Sequence, residues 1–443
     1  MTFTVEQALD QLPERKLLAG LSGGLDSSVL LHALARHRAA GSVRAIHVHH
    51  GLHDQADSWA MHCHTLCTQL GVEMIESRVQ VERNAGCGLE SAARSARYAA
   101  FASTIRPDED LVLAHHQDDQ AETLLLRLLR ASGSDGLAEM RVRRAFADGD
   151  IWRPLLGVPR AQLQDYARLH GLQWIEDPSN SDLQPDRNFL RLQVVPALKA
   201  RWPRACAALA RSAQLLAEDA DLLRGESQRR LDGVVGDVPG VIRVRPLLEL
   251  AGPWRRRVLR QWLLGLGVPM LPGAAMSVIE RDLLAAQRDT HASYDWSGHR
   301  LRRWRDAIHL TTVSASPGEW QCPWDGASPL RLPTGDWLWL EPAEPNRAAL
   351  TGTGLRLGPL QVRARRGGER LTLPGRSHSS ALKKLLQQGD LPPWQRERVP
   401  LLFDAADQLL AAGDLLQSAA LQAHLAEQAL VLRWGPFPPD RRD

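Results

Sequence analysis

From residue 16 to about 129, short apolar runs alternate with longer amphipathic stretches, a rhythm that predicts a parallel sheet wrapped in helices. Strands are expected at 16–21, 43–49, 73–79 and 111–114, with helices near 27–38, 57–70, 89–103 and 118–129. Each unit is long enough for a crossover connection, so the expected fold class is α/β, a doubly wound parallel sheet. Beyond Trp152 helical spacing continues to about Leu215, with strands lost except for a short one expected at Trp174 and Ile175. Text rich in Leu, Ala and Arg then predicts a mostly helical middle domain. Prolines and glycines between 311 and 358, among them Pro317, Pro333, Pro345, Gly352 and Gly358, break the periodicity repeatedly. A linker with irregular or short β structure is expected there, and a small mixed α/β domain after it. The expected division is 1–215, 216–330, a linker at 331–359, and 360–443.

Length agrees with several domains, because 443 residues exceed what one core ordinarily serves. Five cysteines (Cys63, Cys67, Cys87, Cys206, Cys322) include no C-x-x-C pair, which argues against a disulfide framework, a zinc site or an iron-sulfur cluster. A reducing, cytoplasmic setting is expected. No charge-free apolar stretch is long enough to cross a bilayer, so no membrane role is expected.

The formal charge of +3 says little, but its distribution says more. Residues 360–400 hold nine Lys or Arg, including Arg366, Arg370, Lys383, Lys384, Arg396 and Arg398, against three acidic residues. Such a run suits phosphate contacts.

Candidate chemistry begins directly after the first strand, at Ser22-Gly23-Gly24-Leu25-Asp26-Ser27. Strand, glycine turn and helix start form a cradle for phosphate, with backbone N–H groups converging and the helix dipole adding its positive end. Hydroxyls of Ser22, Ser27 and Ser28 offer donors, and Asp26 could hold Mg²⁺. No lysine follows a glycine anywhere in the chain, which excludes a Walker loop. Alone, the segment reads equally well as an ordinary capped strand-to-helix turn.

A second constellation, His115-His116-Gln117-Asp118-Asp119-Gln120-Ala121-Glu122, falls at the end of the fourth expected strand, the edge where doubly wound sheets bind ligands. One helical turn there offers carboxylates for a cation, whether Mg²⁺ or an amine, although acidic first turns also complement the dipole. Arg94 and Arg97 share a helical face with Glu90 and could clamp phosphate oxygens or simply be solvated. His49 and His50 end the second strand, where a nucleotide-facing role stays open while a metal site lacks suitable partners. Finally, Asp177-Pro178-Ser179-Asn180 leads to Arg187-Asn188-Phe189-Leu190-Arg191, a loop and basic helix that could touch RNA.

Together these segments resemble the N-type ATP pyrophosphatase (PP-loop) superfamily and, within it, the bacterial tRNA(Ile)-lysidine synthetases. The resemblance rests on S-G-G-L-D-S, H-V-H-H-G-L at 47–52, G-L-E-x-x-A-R-x-x-R-Y at 88–98, H-x-D-D-Q-x-E-T at 116–123, W-I-E-D-P-S-N at 174–180 and R-N-F-L-R at 187–191. It resumes at R-G-G-E (366–369), at L-K-K-L-L-Q (382–387) and at P-P-W-x-R-x-R-V-P-L-L (392–402).

The resemblance implies a ligase that uses ATP and Mg²⁺ to adenylate the wobble cytidine of a CAU-anticodon tRNA(Ile), after which free L-lysine displaces AMP to give lysidine. It implies ATP at Ser22, Gly23, Gly24, Leu25, Asp26 and Ser27, and metal at Asp26. Catalysis would fall to Asp26, Asp119, Glu122, Arg94 and Arg97, beside His49, His50 and His116. tRNA would contact Arg187, Arg191, Arg366, Arg370, Lys383, Lys384, Arg396 and Arg398, with a homodimer left open. The rival readings are a tRNA thiolase, an amidating enzyme such as NAD synthetase, and a non-catalytic RNA-binding protein.

Overall fold

The computed structural model describes residues 4–81, 89–138, 140–285, 292–313, 318–343, 359–389 and 391–435. Cys87, Gly88 and the 344–358 part of the expected linker lie outside them. The chain divides into two compact units, Met1–Arg229 and Arg230–Asp443.

The first unit runs α1 (Val5–Leu9), β1 (Lys16–Gly20), α2 (Leu25–His37), β2 (Val43–His49), α3 (Ala56–Leu70), β3 (Glu73–Arg78), α4 (Leu89–Thr104), β4 (Glu109–Val112) and α5 (Gln117–Leu129). After the short α6 (Ser134–Leu137) come the hairpin β5 (Arg143–Phe146) and β6 (Gly149–Trp152), then α7 (Arg160–Leu169), α8 (Asp186–Phe189), α9 (Val195–Arg201) and α10 (Ala205–Asp232). The sheet order is β3-β2-β1-β4-β6-β5, parallel except for the β5 edge.

Alternation along β1 shows why helices cover both faces. Leu17 and Ala19 join a core with Leu30, Leu31 and Leu34 of α2 and Leu66 of α3, while Leu18 joins Phe101 of α4 on the opposite side. Strand order reverses between β1 and β4, so their C-terminal ends flank the crevice where such sheets take ligands. At the other end of these strands Arg44 makes a two-pronged ion pair with Glu109, at 2.6 and 2.7 Å, which ties β2 to β4.

Two expectations are corrected here. Trp174 and Ile175 form no strand; instead the Ile175 N–H donates to the Gly23 carbonyl at 2.9 Å, pinning an extended segment over the glycine turn. The β5–β6 hairpin is absent from the sequence expectation, because its strands are four residues each and β5 is an exposed edge rich in Arg.

The second unit begins with β7 (Val241–Arg243), α11 (Val244–Glu249), α12 (Gly252–Gly265) and α13 (Ala275–Val278). Strands β8 (Ser293–Trp296), β9 (His299–Trp304) and β10 (Ala307–Thr312) follow, forming an antiparallel sheet in the order β7-β10-β9-β8. The helices expected in the middle of the chain are present, packing Val258, Leu259, Trp262 and Ile279 against Leu301 and Ile308 of this sheet.

Next come β11 (Gln321–Trp324), β12 (Leu330–Arg331), β13 (Trp337–Pro342), β14 (Leu360–Arg363), β15 (Arg370–Leu371) and β16 (Ser380–Ala381). The chain closes with α14 (Leu382–Gln388), α15 (Pro393–Arg396), β17 (Leu401–Phe403), β18 (Leu409–Ala412), β19 (Leu416–Gln417), α16 (Ala419–Glu427) and β20 (Leu430–Gly435). The expected linker at 331–359 is thus partly structural: every residue of β13 pairs with β20. Proline disguised it, yet Pro342 sits at the strand end, where a missing donor is tolerated. Trp394 of α15 packs on His309, with ring centroids 5.3 Å apart, and under the Arg302 guanidinium at 5.0 Å, joining the two sheets' neighbourhoods within this unit. Among the described residues no helix is long and apolar enough to cross a membrane.

Candidate active site

The loop after β1 is built for close approach. Gly23 adopts φ +84°, and a Cβ there would lie 2.6 Å from Ile175 Cδ1 and 3.0 Å from Cys63 Sγ. Only glycine fits such a position without strain. Gly24 is the N-cap of α2 and provides no side-chain cap, so the first-turn N–H groups of Leu25, Asp26 and Ser27 have no partner inside the helix.

The serine hydroxyls brace the loop rather than point outward. Ser27 Oγ donates to the Gly24 carbonyl (3.1 Å), accepts the Ser22 N–H (3.2 Å) and contacts Ser22 Oγ (3.0 Å), while Ser28 Oγ donates to the Gly23 carbonyl (3.4 Å). The expected hydroxyl donors therefore shape the cradle, leaving backbone N–H groups and the dipole to meet an anion. Substituting Gly23→Ala should destabilise the fold by about 1–3 kcal/mol through backbone strain and the Ile175 clash. It should also erase the rise in melting temperature that ATP gives the parent; a retained ATP shift would contradict the cradle.

Across the crevice, α5 starts at His116, whose Nδ1 accepts the Asp119 N–H while Asp119 Oδ2 accepts the His116 N–H. This capping box fixes both side chains. The other ring nitrogen, Nε2, lies 3.5 Å from Asp26 Oδ2 and 3.4 Å from Asp119 Oδ2, so the ring bridges the loop and α5. Burial opposes charge on this imidazole, yet Asp26 and Asp119 hold its pKa above the ordinary value.

Asp119 and Glu122 share one face of α5 and both are buried. Arg187 reaches them through Nη2 to Asp119 Oδ1 (3.0 Å) and Nε to Glu122 Oε2 (3.0 Å). Arg191 adds 3.0 Å to Asp119 Oδ1 and 2.8 Å to Glu122 Oε1. Burial alone would raise the Asp119 pKa, but His116 and Arg187 outweigh it and hold the carboxyl at about 2. Asp118 diverges from this pair: it accepts the Arg160 N–H at 3.0 Å and pairs with Lys199, fastening α5 to α7 and α9.

The structure thus brings Ser22 to Ser27, His116, Asp119 and Glu122 together and gives the other expected residues the following surroundings. Arg187 and Arg191, expected to contact tRNA, pair with the α5 carboxylates. Arg94 lies over the Tyr98 ring, 5.0 Å from its centroid, whereas Arg97 is close enough to depress the pKa of both His50 and His115, for each of which burial is the larger cause. His49 Nε2 sits 3.2 Å from Asp57 Oδ1.

A polar ligand fits this crevice, because His50 Nδ1, His62 Nε2, His115 Nδ1 and Asp26 Oδ1 are buried atoms without a hydrogen-bond partner among the described residues. No three His, Cys, Asp or Glu among the described residues are arranged to hold a metal by themselves. Lys199 and Arg160 carry no local signal of a place in this site, since each is joined to it only through the tertiary fold.

In the second unit, Lys383 and Lys384 project from α14 as exposed cations. Arg396 donates to the Leu391 carbonyl (2.8 Å), Arg398 to the Thr334 carbonyl (2.7 Å) and to Asp336, Arg370 to Ser379, and Arg366 lies 3.3 Å from Glu319. Each of these four arginines thus has a protein partner within the unit, whereas the two lysines project free of the fold.

Three family models match the chain: a PP-loop domain over residues 1–198, a TilS substrate binding domain over 243–309 and a TilS substrate C-terminal domain over 360–434. A tRNA(Ile)-lysidine synthase of Xanthomonas campestris pv. campestris (strain 8004) is 50% identical over 96% of this chain and 97% of its own length. That of Xylella fastidiosa (strain Temecula1) is 48% identical over 98% of both chains. A U34-tRNA thiolase structure from Methanococcus maripaludis is far more distant, 18% identical with a TM-score of 0.40, covering 48% of this chain and 77% of that one. On near-full-length identity of this order, the chain belongs to the tRNA(Ile)-lysidine synthase family.

Proposed function

We propose that this ligase uses ATP to adenylate the C2 carbonyl oxygen of the wobble cytidine in a CAU-anticodon tRNA(Ile), and that free L-lysine then displaces AMP to form lysidine, changing decoding from AUG to AUA. The observation that carries the reading is His116, which touches both Asp26 of the phosphate cradle and Asp119 of the carboxylate pair. Phosphate grip and cation site thereby lie side by side. Pyrophosphate leaves from the cradle as the base oxygen attacks, and a poor leaving group becomes a good one once it is AMP.

The attacking amine comes from outside, so no enzyme nucleophile is required. Burial pushes the thiols of Cys63, Cys67 and Cys206 up to about 12, 11 and 11, far from thiolate reactivity at neutral pH and unlike what sulfur transfer needs. Asp119, held at about 2, is too weak a base to take the amine's proton. It serves as an anionic anchor. Lysine has two ammonium groups and one carboxylate, and the Asp119, Glu122, Arg187 and Arg191 cluster offers both signs of charge. Mg²⁺ held at Asp26 would neutralise phosphate charge as pyrophosphate departs. The setting that supplies these substrates is the cytoplasm.

With ATP, tRNA(Ile) and L-lysine present, AMP and pyrophosphate should form, and omission of tRNA should suppress both. AMP formation indifferent to tRNA would contradict the reading. A second outcome concerns α14. The double substitution Lys383→Ala and Lys384→Ala should weaken tRNA binding and reduce the slope of log K against log salt by roughly two, about one for each phosphate no longer neutralised. An unchanged slope would remove these lysines from the interface. Whole-segment deletion is a poorer test, because β14 and β20 complete sheets begun by β11 and β13.

A further inference from the structure

Between α9 and α10 lies a cleft of about 730 Å³ whose lining is almost wholly apolar: Leu198, Trp202, Pro203, Ala208 and Leu209, with Arg204 at its rim. Trp202 is 57% exposed, an expensive residue to leave in water. The Arg201 guanidinium stands 5.7 Å from its ring centroid.

The surrounding chain is strongly one-signed. Residues 187–217 contain six Arg or Lys and no Asp or Glu. Arg187, Arg191 and Lys199 are committed to the α5 carboxylates, which leaves Arg204 on the cleft and Arg201 beside the Trp202 ring. The cleft also rests on the helix that bears the active-site carboxylates, since Cys206 and Leu209 of α10 pack on Ala121 and Leu125 of α5.

An exposed aromatic ring among arginines, with no acidic residue nearby in sequence, matches the way proteins hold unpaired RNA bases: rings stack on the base, and cations meet the flanking phosphates. A protein partner would find little complementary negative charge here. We infer that the Trp202 cleft stacks an unpaired base of the tRNA anticodon loop beside the base being modified, with Arg201 and Arg204 on the adjoining phosphates. The inference rests on the tRNA-modifying function proposed above and names the surface that splays the loop. Trp202 is a positioning residue: it holds the loop so that the reacting base enters the crevice.

The test uses the full-length enzyme and anticodon stem-loop RNAs carrying an abasic nucleotide at each loop position in turn. Trp202→Ala should raise KM for tRNA by roughly 5- to 150-fold, the worth of one base on an aromatic ring, with kcat changed little. Trp202→Phe should recover most of the loss. Abasic substitution at one loop position should weaken binding by the parent and leave Trp202→Ala unaffected, while other positions weaken both proteins alike. ATP-induced thermal stabilisation of Trp202→Ala, equal to the parent's, checks that the fold survives.

Unchanged tRNA affinity in Trp202→Ala would overturn the inference, as would losses additive with every abasic position. A parent dimer that dissociates on Trp202→Ala with tRNA affinity intact would instead make the cleft a contact between two copies. If the parent itself fails to form AMP with tRNA and lysine, the functional reading falls; if the parent is active and Trp202→Ala matches it, only this inference falls.

Discussion

Glu122→Ala should lower folding stability by roughly 3 kcal/mol and abolish product formation, because Glu122 is 1% exposed and is held by two guanidinium groups at once. Removing one partner of a buried pair ordinarily costs about 3–5 kcal/mol, since the charges left behind are neither solvated nor compensated. The lower end applies, as the Arg187 and Arg191 side chains keep 27% and 29% of their exposure. Denaturant titration should show an earlier midpoint with an unchanged slope. Adding Arg191→Ala to Glu122→Ala should cost much less than Arg191→Ala alone, because the same unpaired charge is being removed. Additive losses would mean that the four charged groups do not act as one cluster.

The second large effect belongs to Asp26, where Asn keeps the shape and removes the charge. Asp26→Asn should slow tRNA-dependent pyrophosphate release on the order of 10²–10³-fold, the scale of removing one electrostatic stabiliser of the transition state. ATP binding should survive, because the cradle is made of backbone N–H groups that this substitution leaves in place. Stability should change little: Asp26 keeps 32% side-chain exposure, and its nearest cations are at 3.5 and 3.8 Å. Pyrophosphate release at the parental rate would remove Asp26 from the chemistry and the metal with it.

How far these sites can be read from sequence depends on the distance over which each is assembled. The loop at 22–27 and the turn at 115–122 are legible because strand, turn and helix are local, and the end of β4 falls beside the end of β1 by the ordinary topology of such sheets. Arg187 and Arg191 stand out in sequence as basic residues suited to RNA, because their carboxylate partners lie 65 to 72 residues earlier in the chain. No local pattern records that pairing.

The same limit explains Asp118, which stands beside Asp119 in sequence yet turns to Lys199, 81 residues on. Strand β13 is hidden differently, behind prolines that occupy positions where no ladder donor is missed. In the middle of the chain, β8 and β9 alternate buried Trp296, Leu301 and Arg303 with exposed or half-exposed charged residues such as Asp295, Arg300 and Arg302 over only a few residues. Such short signals are submerged in text dominated by arginine and leucine.

Lysine transfer to a tRNA base is tested most directly by incubating the enzyme with ATP, radiolabelled lysine and total bacterial tRNA. Label should enter a tRNA fraction bearing the CAU anticodon, only when ATP is present, and should survive mild base that cleaves an aminoacyl ester. Label lost to mild base, or none entering RNA while AMP is still released, would contradict that function.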